Sequence, residues 1–139
     1  MSADDPMEAL HIDLYSYLTP LLEVPLYDFV PEDAEYPYVV MGEATEIPDN
    51  TQDHYGTQMT LTWHVWTRTE GYSEGRRIAR IIQKRLDHQQ DSIPTPELDS
   101  INYRLVSLTH EMTQTMRDPN PELRHIPVRY RAVTEQITN

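Results

Sequence analysis

Apolar residues recur at helical spacing near the start of the chain. Met7, Leu10, Leu14, Tyr17, Leu18 and Leu21 follow the i, i+3, i+4, i+7 rhythm of an amphipathic helix. Its start is marked three ways: Asp5 can cap, Pro6 suits the first helical position, and Glu8 stands where a capping box places its acid. Pro20 should end or kink the helix near Leu18. A second helix is predicted over 73–88, from Ser73 to His88. Ile78, Ile81, Ile82 and Leu86 form its apolar stripe, and Arg76, Arg77, Arg80 and Lys84 lie opposite.

Between and after the helices the period falls to two. "PLYDFV" (25–30) reads as a short strand closed by Pro31, and "YVVM" (38–41) as a strand covered on both faces. Gly42 then permits a bulge or a close backbone approach. "MTLTWHVW" (59–66) alternates, with Met59, Leu61, Trp63 and Val65 facing one way and Thr60, Thr62, His64 and Trp66 the other. The polar stretch "PDNTQDHYG" (48–56) makes 40–65 a hairpin with a long exposed tip. Residues 89–100 read as a connector, 101–116 as a strand, 117–125 as a turn and 126–133 as a strand pairing antiparallel with the one before it. Residues 1–5 and 134–139 are expected to fray. The order α, β, β, β, α, β, β predicts a single α+β domain over 1–139: one antiparallel sheet with two helices packed against it.

Composition narrows the class. A 139-residue chain can bury its own core, and no apolar run approaches the roughly 20 residues a membrane helix needs. There is no Cys, which removes disulfides and thiolate metal sites. The acidic N-terminus has no signal-peptide charge pattern, so a soluble protein used without export is expected. The net charge of −12 is unevenly spread: no Lys or Arg precedes Arg68, and five of the eleven bases fall between Arg76 and Arg85. Such asymmetry points to two unlike surfaces, unless folding interleaves the halves. Arg76 and Arg77 stand in the first turn of the second helix, where the dipole disfavours positive charge. An acidic partner can compensate them, and so can plain solvation of the helix face.

Catalytic signatures are missing. The four glycines form no phosphate cradle, and Lys84 follows no glycine-rich loop. No GxSxG elbow occurs, and the six His, at 11, 54, 64, 88, 110 and 125, show no HExxH or HxxxH spacing. A small hydrolase using Asp and His would need a concave pocket with perturbed titratable groups. Duplex DNA demands a basic footprint, and the stripe on the second helix is a small one in an acidic chain. A channel that lets DNA slide past without holding it would want acids, as Asp49 and Asp53 supply, though acids also serve ordinary solubility.

Three pieces in order, "LYDFVPEDAEYPYVVMGE", "HVWTRTEGYSEGRRIARIIQKRL" and "RDPNPELRHIPVRYRA", carry a further signal over roughly residues 7–135. Together they resemble the tail-completion proteins of long-tailed phages, also called tail terminator or tail-to-head joining proteins. The resemblance implies a non-enzymatic virion part with no cofactor and no membrane partner. It implies a ring, typically a hexamer, at the head-proximal end of the tail, assembled in the host cytoplasm. Such a ring stops growth of the tube, meets the tail tube protein on one side and the head-completion (stopper) protein of the connector on the other, and passes DNA as cargo. The alternative is a head-completion protein on the portal side of the junction. On this reading Glu46, Asp49, Asn50, Asp53, His54 and Tyr55 are candidates for a mobile loop that orders in the ring or faces its lumen. Arg76, Arg77, Arg80 and Lys84 are candidates for contact with a neighbouring subunit or partner. The absence of any base before Arg68 is a departure from the family pattern, so a standard set of partner contacts is not carried over.

Overall fold

The computed structural model describes residues 5–50, 55–86 and 103–136. Helix α1 spans Pro6–Leu18. Asp5 caps it from an extended conformation, its carboxylate accepting the Met7 N–H at 3.0 Å. The helix stops at Leu18, two residues before Pro20, and buries Ala9, Leu10, Leu14 and Leu18. Helix α2 spans Ser73–Leu86 and buries Gly75, Ile78, Ala79, Ile82 and Leu86; Ile81, which its spacing placed in the apolar stripe, is only half-buried. Residues 87–88 and the 89–100 connector lie outside the described residues.

The strands are β1 (Leu26–Tyr27), β2 (Tyr38–Pro48), β3 (Gly56–Thr67), β4 (Tyr103–Thr113), β5 (Met116–Arg117) and β6 (Arg124–Gln136). They form one open sheet in the order β1-β2-β3-β6-β4, with β5 continuing alongside β6. The β2–β3 hairpin and the β4–β6 pair are antiparallel, as expected. Both helices lie on the same face. Met59, Leu61, Trp63 and Val65 of β3, with Ile126, Val128, Tyr130 and Ala132 of β6, meet Leu10, Leu14, Leu18, Ile78, Ile82 and Leu86 in one buried cluster. The chain is an α+β domain of two layers, and its other sheet face carries no helix among the described residues.

Four details differ from the sequence reading. First, "PLYDFV" yields only the two residues of β1, which pair parallel with Val39 and Val40, so the sheet is mixed. Phe29 is 87% exposed and belongs to no strand. Second, Val40 is only half-buried, because its side of the sheet has no helix over it. Tyr38, on that same side, is covered instead by the rings of Tyr27 and Tyr36 at 5.7 and 5.0 Å.

Third, 101–116 is broken. β4 ends at Thr113 and β5 resumes at Met116. Pro127 explains the gap: it sits inside β6, and its carbonyl accepts Gln114 N–H on the β4–β5 side. Its absent N–H points the same way, so the ladder cannot run through. Fourth, β6 continues to Gln136, so residues 134–136 are not frayed. Thr134 pairs with Thr57 on one side and Leu105 on the other, and is 1% exposed. Backbone pairing, which apolar pattern does not report, holds this end.

Candidate interaction surfaces

Gly42 does both things its position allows. The β2–β3 register shifts between Met41 and Ala44, which makes a bulge, and the His64 ring packs directly over Gly42. A Cβ on Gly42 would stand 2.4 Å from His64 Cδ2. The bulge aims Glu43 back at the same ring. Glu43 Oε1 lies 2.5 Å from His64 Nε2, and His64 Nδ1 lies 2.5 Å from His125 Nε2. Trp66 stacks flat on His125, with ring centroids 4.1 Å apart. A Glu43–His64–His125 chain therefore crosses three strands on the helix-free face. One proton serves the contact between the two rings, so one imidazole donates and the other accepts.

Electrostatics follow from this geometry. Burial, then the neighbouring His64, pushes His125 below its ordinary 6.5, against the opposing pull of Asp118 and Glu43. The hydrogen bond from His64 holds the Glu43 carboxyl below its ordinary 4.5. Both groups bind more protons unfolded than folded, so both make stability rise with pH. The His125 contribution is complete above 6.5 and is lost as pH falls from there toward its lower folded value. The Glu43 contribution is present above 4.5 and is lost as pH falls through its lowered folded value. Denaturant midpoints measured from pH 8 to pH 3.5 are expected to decline in two stages, and His125→Gln is expected to remove the upper one. A flat midpoint between pH 7.5 and 5.5 in the natural chain would contradict the arrangement.

The predicted loop at 48–56 is shorter than its composition suggests. Pro48 and Gly56 are strand residues paired at the ends of β2 and β3. Asp49 N–H donates to the Gly56 carbonyl at 2.9 Å, and Asn50 Oδ1 accepts the Gly56 N–H at 3.1 Å. A Cβ on Gly56 would meet the Asp49 carbonyl at 2.6 Å, so the tip needs a glycine for close approach. Glu46, Asp49, Asn50 and Tyr55 are exposed on this arm; Asp53 and His54 lie outside the described residues. An open cleft of about 440 Å³ sits under the arm, walled by Glu46, Asn50, Tyr55, Tyr103 and Gln136 among others.

The bases of α2 divide. Arg76, Arg77, Arg80 and Lys84 are all exposed, but Arg77 is ion-paired with Glu23 of its own chain. Part of the acid–base complementarity between the halves is thus satisfied internally, as Arg104–Glu135 and Arg129–Glu111 also are within the second half. The two candidate sets stay on separate elements, the hairpin arm and the outer side of α2. Among the described residues no group of three or more His, Asp or Glu is placed to hold a metal ion, and no helix is long and apolar enough to cross a membrane.

Sequence reasoning missed the Glu43–His64–His125 chain. Alternation had put His64 and Trp66 on one face, but the "DPNP" turn signal extended over His125, which in fact lies in β6 opposite Trp66. It also missed Phe29, whose exposure no periodicity reveals.

Comparison with known proteins agrees with this fold. One curated relative, the tail completion protein gp17 of Bacillus phage SPP1, is 34% identical over 54 residues, which is 37% of this chain and 40% of that protein. The match thus spans less than half of the relative's length. A chain in the virion of a native gene transfer agent particle superposes with a TM-score of 0.76 at 18% identity, over 96% of this chain and 99% of that one. At that identity the likeness is one of fold. The family model described as tail completion protein gp17 matches residues 16–135, from the last turn of α1 to the penultimate residue of β6. The chain accordingly belongs to the tail completion protein gp17 family, a family of structural phage-tail proteins.

Proposed function

We propose that the chain caps the head-proximal end of a phage tail tube as a ring, most simply a hexamer. The ring terminates tube growth, offers the surface that joins tail to head, and lets DNA pass through its hole. The observation that carries this reading is the family match over 16–135. The resemblance in fold to a chain of a phage-like particle supports it. The surfaces fit as well. An acidic arm with Glu46 and Asp49 exposed would line a lumen without gripping DNA, since like charge repels the phosphates. The exposed bases of α2 and the acidic first half supply unlike surfaces, as a head-to-tail contact between copies requires. Exposed ion pairs contribute only about 0–1 kcal/mol each, so charge here sets register and encounter rate while apolar contact holds the ring. No bond-making step is part of the role.

The test is complementation in vitro. Purified tails lacking this protein are incubated with it and then with heads. Joined particles are expected, with gold-labelled protein at the tail end nearest the head in electron micrographs. Label on the portal of free heads, with tails left bare, would instead establish the head-side alternative.

A further inference from the structure

The chain has a single phenylalanine, Phe29, and it is 87% exposed. It projects from an acidic loop: Asp28, Glu32, Asp33 and Glu35 are all exposed around it, and Asp28 is held by His11 of α1 at 3.4 Å. A large aromatic ring left in water is available as an interface anchor, because aromatic side chains seated in pockets carry much of the energy of protein contacts. Elsewhere on the same molecule lies a matching recess. Between the end of α1 and the outer side of α2 an open cleft of about 380 Å³ is lined by Leu21, Glu23, Ile81, Lys84 and Arg85. Its lining combines apolar Leu21 and Ile81 with basic Lys84 and Arg85, and the one acid in it, Glu23, is ion-paired with Arg77.

We propose that Phe29 of one copy seats between Leu21 and Ile81 of the next copy, with Glu32 and Asp33 facing Lys84 and Arg85. With knob and recess at different places on the chain, repeating the contact head to tail carries it around a ring. Charge complementarity commits the occupant to a second copy: the first 67 residues carry no Lys or Arg, whereas the recess lies on the helix where bases concentrate. The inference rests on the reading that copies of the chain assemble with one another, and names the contact through which they do so.

Cysteine trapping tests it cleanly because the chain has no native Cys. F29C and I81C are purified separately, mixed at high concentration, and oxidised, both free and on tails lacking the natural protein. The mixture is expected to give a disulfide-linked dimer that neither variant gives alone. F29D removes the anchor from an exposed site, so its thermal midpoint should match the natural chain while self-association weakens about 30-fold, the loss of a hot-spot residue. Reversing the rim with K84E/R85E should weaken association too, and E32K/D33K should restore it in that background. Rings that form normally with F29D, or F29C that cross-links to itself as readily as to I81C, overturn the contact and leave assembly standing. Tails that take up the natural chain as isolated copies, with no cross-link in any mixture, overturn both.

Discussion

Replacing Trp63 by alanine is expected to remove about 3–5 kcal/mol of folding stability, out of the 5–15 kcal/mol that holds a domain of this size together. Trp63 is the largest side chain in the core and is 1% exposed. It stands on β3 between Met41 of β2 and Val128 of β6, under the helix layer. Its ring meets Tyr130 edge-on, with centroids 5.4 Å apart. Alanine leaves a cavity that two strands locked in an antiparallel ladder cannot collapse into, so the cavity cost adds to the lost transfer energy. Trp66, three residues along the same strand, provides the contrast. It points to the helix-free face and is half-buried against His125, and its removal should cost nearer about 1 kcal/mol, the scale of one aromatic contact. Urea denaturation of both variants measures the difference. Equal losses would mean that the two faces of the sheet are packed alike, contrary to the two-layer fold.

That contrast also marks where the sequence is legible. The alternation at 59–66 and 126–133 is readable because one face of β3 and β6 is buried and the other is not, so burial writes a period of two. The stripes of α1 and α2 are readable for the same reason at 3.6. Where burial stops, the pattern stops. "EATEIP", the second half of β2, is exposed at every position and is a strand solely through its ladder with β3. The apolar pattern therefore marks this strand only as far as Met41, and Pro48 passes for the start of the loop. The end of β6 and the parallel pairing of β1 are silent for the same reason: backbone hydrogen bonds carry no residue preference strong enough to read. The interaction surfaces were half legible. The exposed bases of α2 follow from its periodicity, but Arg77 finds Glu23, 54 residues away, and His64 finds His125, 61 residues away, and no local pattern encodes either partner.

Gly42→Ala is expected to destabilise by about 2–3 kcal/mol, more than any substitution of one hydrogen by a methyl on an ordinary surface strand. Gly42 adopts no backbone conformation reserved for glycine. The cost arises from what lies above it. A Cβ would enter the His64 ring at 2.4 and 2.5 Å and press the Thr62 carbonyl at 3.0 Å. A flexible side chain could swing away, but His64 is held at both ends, by Glu43 and by His125. Moving it breaks two hydrogen bonds, one of them to a carboxylate, and leaves His125 half-buried with a ring nitrogen unpaired. The double variant separates steric from polar loss. In a His64→Ala background the ring is gone, so the added methyl has room and Gly42→Ala should become close to neutral. The same change made singly should raise the His125 pKa toward 6.5, its ordinary value, as the strands part and water reaches the ring, which imidazole proton resonances titrated by NMR would follow directly. A single Gly42→Ala variant as stable as the natural chain, with the histidine titrations unmoved, would show that the ring is free to turn and that the three-strand polar chain does not brace this face of the sheet.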